Sequence, residues 1–128
     1  MHMVMLLAAV LAALVHVLIF CMESLWWTTP GVRRRFRQSP EQAEATRLLA
    51  FNQGFYNLFL AIGTLAGLVL AHTERAHVGW TLMAWNCLFM VGAAVVLVAS
   101  APVMRRGALI QGAAPLLFLV LLAIHGGL

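Results

Sequence analysis

Four long apolar runs, separated by three short polar connectors, set the pattern of this chain. The first run, Met3 to Met22, carries no charged residue and predicts a helix over about 3–27. The longest polar stretch follows, from Thr28 to Arg47. Inside it, Ser39-Pro40-Glu41-Gln42 is a helix start: the serine can cap, the proline suits the first turn, and Gln42 stands where a capping-box partner belongs. The second helix therefore begins in water near Pro40 and crosses the membrane over about 48–71. His72 to His77 form the next connector, and a third span covers about 78–99. Ser100, Pro102, Arg105 and Arg106 make the last turn before a fourth span over about 108–124. These lengths are near the ~20 residues that cross a hydrocarbon core about 30 Å thick. The expected fold is all-α: a polytopic four-transmembrane-helix bundle, with 1–128 as a single membrane domain.

Composition agrees. Of 128 residues, 63% are hydrophobic and 9% charged; a soluble domain has about 25% charged residues, so this chain has too few to cover a surface facing water. The net charge of +4 does not point to nucleic acid, because the arginines sit in the connectors, where they report topology. Connector one holds Arg33, Arg34, Arg35, Arg37 and Arg47; connector three holds Arg105 and Arg106; connector two has Arg75. The arginine-rich connectors are expected in the cytoplasm of a bacterial inner membrane, with both termini outside. Trp26 and Trp27 then lie at the inner interface and Trp80 at the outer one. The first run lacks a basic leader and a small-x-small site, and is read as a retained helix. Cys21 and Cys87 are isolated in apolar runs with no metal-ligand spacing, so free thiols are expected, and no metal or cofactor.

The candidate chemistry is the set of polar residues inside the spans, where a charge at mid-helix costs about 2.5–3.5 kcal/mol. His16 and Glu23 are seven apart on nearly one face of the first helix. The second helix carries Asn52, Gln53, Tyr56 and Asn57, with Asn52 above Tyr56 and Gln53 above Asn57. At about 100° per residue these four cover an arc of roughly 140°. Gln111 lies near the start of the fourth span. Their depths agree, which predicts a polar intramembrane pocket opening to the cytoplasm with His16 at its floor. The plainer alternative is interhelical hydrogen bonding, about 0.6 kcal/mol per residue on average. Gly63-x-x-x-Gly67 permits close helix approach.

His16-x-x-Ile19-x-x-x-Glu23, Trp27-x-Thr29-Pro30-Gly31 and Asn52-Gln53-Gly54-Phe55-Tyr56-Asn57, running on to Phe59-Leu60-Ala61 and Gly63, carry a family likeness. The chain resembles the small bacterial membrane proteins grouped as domain-of-unknown-function family 1304. The likeness is nearly full length and densest in the first half. In the third helix Gly92-Ala93-Ala94-Val95 keeps the family's glycine without its tyrosine. In the fourth, Gln111-Gly112-Ala113-Ala114-Pro115 is one residue longer than the family's Gln-Gly-x-Pro. The resemblance implies the fold and a site at these residues, and no particular activity.

Three functions fit. The first is binding or transport of a small lipophilic solute, proton-linked through Glu23, with His16, Glu23, Trp27, Asn52, Gln53, Tyr56, Asn57 and Gln111 as ligand-binding residues. This outline is similar to that of the small multidrug exporters, which are also short four-helix proteins with a first-helix glutamate. It brings with it a homo-oligomer, for which Gly63 and Gly67 offer a face. The second is a membrane enzyme on a lipid-like substrate, with His16, Glu23 and Tyr56 as catalytic candidates. The third is a structural or accessory subunit. Membrane lipid is the expected surrounding partner in all three.

Overall fold

The computed structural model describes residues 2–125. Helix α1 spans His2–Phe20 and passes directly into a π-helical turn, Cys21–Leu25. A short helix α2, Pro30–Arg35, lies in the first connector. Helix α3 covers Pro40–Leu70, α4 covers Ala76–Ser100, and a 3-10 turn at Pro102–Met104 leads into α5, Arg105–Ile124. Four segments, His2–Leu25, Pro40–Leu70, Ala76–Ser100 and Pro102–Ile124, are long and apolar enough to span a membrane. The protein is an all-helical bundle of these four.

The helices form a ring in which α1 packs on α3 and α5, and α4 packs on the same two from the opposite corner. Its interior is built from small residues. Ala8, Ala9, Ala12 and Ala13 of α1 are buried, as are Ala50 and Ala61 of α3 and Ala108 and Ala114 of α5. Large apolar side chains such as Leu7, Leu14, Phe59, Ile62, Phe89 and Leu117 point outward. That inversion is stable only where the surroundings are as apolar as leucine; bundles in lipid associate by close packing of small residues.

Glycines set how closely α3 and α4 meet. A Cβ at Gly67 would lie 2.8 Å from the Gly79 carbonyl, and one at Gly79 would lie 2.8 Å from the Leu70 carbonyl carbon. A Cβ at Gly63 would meet the Asn86 amide nitrogen at 2.6 Å. The Gly63-x-x-x-Gly67 pair is therefore used inside the chain, against α4, rather than as a face left free for a second copy. At the same end of the bundle, Met5, Met83, Cys87 and Phe118 close the core, and His2 packs edge-on against Trp80 and His125.

The start of α3 forms the capping box: the Gln42 amide N–H donates to Ser39 Oγ at 3.1 Å, and the Ser39 amide donates to Gln42 Oε1 at 2.9 Å. Beside it a small second core gathers Trp27, Val32, Ala43 and Ala50, with Phe36 4.8 Å from the Trp27 ring. This packing folds the arginine-rich connector back onto α3. The α2 helix was not expected; Pro30 starts it, and Val32 buries its inner face.

Candidate functional site

The site grows from the break in α1. At Cys21–Leu25 the backbone switches to i→i+5 bonding, and the Trp26 amide donates to the Cys21 carbonyl at 2.9 Å. A π turn inserts extra width into a helix and re-aims the side chains it carries. Here those side chains are Glu23 and Ser24, and both meet α3. Asn57 Nδ2 donates to Glu23 Oε2 at 2.9 Å, and Ser24 Oγ donates to the Phe51 carbonyl at 2.8 Å. Gly54 makes the approach possible: a Cβ there would overlap the Ser24 hydroxyl and lie 3.1 Å from the Phe20 carbonyl oxygen. Phe20 and Phe55 pack edge-on at 5.2 Å and close the apolar side of the contact.

Glu23 is partly buried. Among the described residues the ion pair is Glu44–Arg47, at 3.5 Å and well exposed, so Glu23 is held by an amide and not by a cation. The difference matters chemically. An asparagine amide donates to a carboxylate and, turned over, accepts from a carboxylic acid. Asn57 can therefore serve Glu23 in either protonation state.

At Ser24 opens a cleft of about 440 Å³, lined also by Leu25, Trp27, Thr28, Arg47, Leu48 and Phe51. Trp27 is buried at its wall and its indole N–H donates to Thr46 Oγ1 at 3.1 Å. The cleft mixes hydroxyls, one guanidinium and apolar side chains.

The other expected site residues are placed differently. His16 is fully buried one turn beyond Ala12, and its Nδ1 is 2.8 Å from the Ala12 carbonyl oxygen. That geometry has Nδ1 donating and ties the ring to its own helix rather than to Glu23. Asn52 is exposed and donates to the Leu48 carbonyl at 2.9 Å. Gln53 is exposed, and Tyr56 is 69% exposed on the outer side of α3. Gln111 is partly buried on the arc of α5 that also carries buried Ala108, Ala114 and Pro115. The structure thus brings Glu23 and Asn57 together, sets Trp27 in the wall of the cleft that Ser24 borders, and turns Asn52, Gln53 and Tyr56 outward. Ser24, Thr28, Thr46 and Arg47 join the site without having been singled out for it. The sequence signals were two adjacent polar residues, Glu23-Ser24, in an apolar run, and one glycine, Gly54, among bulky residues.

Fold and site together define a small membrane-bundle protein with a polar station where its first helix breaks. The chain belongs to the DUF1304 family, described as proteins of unknown function, whose match covers residues 10–123 and so includes Glu23, Asn57 and Gln111. No curated protein and no solved structure matches the chain.

Proposed function

We propose that this protein binds a small lipophilic solute beside the Glu23–Asn57 pair and carries it across the bacterial inner membrane, with proton exchange at Glu23. The observation that carries the reading is the 2.9 Å bond from Asn57 to a carboxylate that no cation among the described residues holds. A carboxylate inside a membrane helix is costly, and such groups mark ion and substrate pathways. The π turn supports the same reading, because these turns recur at functional sites. In this account the arginine-rich connectors are cytoplasmic, both termini are outside, and the cleft bounded by Trp27 and Arg47 is the inner mouth. A homo-oligomer belongs to the reading too: Asn52, Gln53 and Tyr56 face outward at membrane depth, and a second copy would cover them.

Catalysis by His16 and Glu23 has less support, since His16 bonds to its own backbone. The test is reconstitution into vesicles with an imposed pH gradient, following uptake of a lipophilic fluorescent dye. Wild type is expected to show gradient-driven flux, and Glu23→Gln to lose it while still folding. Absence of flux, with wild type alone converting a component of a lipid extract, would replace transport by an enzyme. Equal behaviour of wild type and Glu23→Gln in both assays would leave an accessory subunit.

A further inference from the structure

A second feature lies at the opposite corner of the ring, between α4 and α5. The two helices pack on each other along much of their length, and at one point a Cβ on Gly112 would stand 2.9 Å from Ala94 Cβ. Around that point the side chains are short. Ala94, Ala99, Ala108, Gly112 and Ala113 leave a furrow where larger residues would fill the surface, and the furrow has a volume of about 640 Å³. It runs along α4 from Val91 to Ala99, about 12 Å at the helical rise. That is close to the depth of one leaflet's hydrocarbon, half of about 30 Å. Its walls are almost wholly apolar until the mouth, where Arg105 and Arg106 stand. Both arginines are exposed, and the ion pair among the described residues lies elsewhere, at Glu44–Arg47.

We propose that this furrow holds one anionic phospholipid, with an acyl chain between α4 and α5 and the phosphate on Arg105 and Arg106. The two halves of the site match the two halves of such a lipid. Guanidinium groups recognise phosphate through paired N–H donors, and basic sites between membrane helices bind anionic headgroups. A second copy of the chain is a poorer occupant. Two-fold packing of this face would bring four arginines to one mouth with no carboxylate among the lining residues.

The experiment is native mass spectrometry of the full chain released from nanodiscs of equal phosphatidylglycerol and phosphatidylcholine. Each juxtamembrane arginine supports about a fivefold preference for the anionic lipid, so the pair predicts roughly twenty-five-fold. Arg105→Gln with Arg106→Gln should bring the preference close to one, while Arg105→Lys with Arg106→Lys should keep most of it. Ala113→Phe, an exposed position that fills the furrow, should lower retention of both lipids with the arginines intact. The proposal is overturned by a wild type that retains both lipids equally, by a preference that survives the glutamine pair, or by a phenylalanine variant that holds lipid as before. A lipid-free dimer that Ala113→Phe dissociates would assign the furrow to a second copy instead.

Discussion

Helix α3 makes two contacts of opposite character. Toward its C-terminal end it meets α4 through Gly67, Gly79 and Met83, nearly backbone on backbone. Toward the arginine-bearing end it meets the broken α1 through Asn57, the Phe51 carbonyl and Gly54, and that contact is made by polar side chains beside a cleft. Both use glycine to let helices approach. At Gly79 the space is occupied by backbone, which cannot move aside. At Gly54 the nearest obstacle is the Ser24 hydroxyl on a π turn, which can, with the Phe20 carbonyl oxygen a looser 3.1 Å away. One end is a rigid clasp, and the other is held by a side chain that can turn.

The sharpest way to break this comparison is to load each glycine with a methyl group. Gly79→Ala is expected to cost about 3 kcal/mol, at the upper end for overpacking, or to prevent accumulation of folded protein. Its readout is denaturant-driven unfolding in detergent. Gly54→Ala should cost less, about 1–2 kcal/mol, because a serine rotates and one hydrogen bond is lost. If the difference between the ends lies in the serine, Gly54→Ala combined with Ser24→Ala should be more stable than the sum of the single changes. A double-mutant cycle measures that coupling. Equal losses at Gly54 and Gly79, with no coupling to Ser24, would erase the distinction.

Asn57→Leu sharpens the polar end. It removes the donor from a partly buried carboxylate, for about 1–3 kcal/mol. Glu23→Gln keeps an acceptor oxygen for Asn57 and should change stability by less than about 1 kcal/mol while abolishing proton-linked flux. The smallest effects belong to the outward face. Gln53→Leu and Tyr56→Phe are expected within about 0.5 kcal/mol of wild type in monomeric detergent complexes, as for other exposed positions. A larger loss confined to bilayers would point to a covering second copy.

The fold was legible for a simple reason. Lipid demands four runs of near-continuous apolar residues, and Ser39 with Gln42 marks where α3 starts in water. The sidedness of each helix was much less legible. In a soluble bundle apolar periodicity separates inside from outside. Here leucine faces lipid and alanine faces the core, so periodicity loses its sign. That is why three amides and a phenol on one arc of α3 read as a common interior set, although of these Asn57 is the one bonded to Glu23. The π turn at Cys21–Leu25 left no glycine or proline mark, because it is a shift of backbone bonding within an apolar helix. The α2 helix, six residues in an arginine-rich connector, had only Pro30 and Val32 to announce it.

The central claim is that Glu23 and Asn57 share a hydrogen bond across α1 and α3 in the membrane. Solid-state NMR on protein in lipid bilayers, labelled with carbon-13 at the Glu23 carboxyl and nitrogen-15 at the Asn57 side chain, measures it directly. A through-space coupling corresponding to about 4 Å between the two nuclei is expected for such a bond. No measurable coupling, in protein whose Gly67–Gly79 contact is intact, would contradict the account.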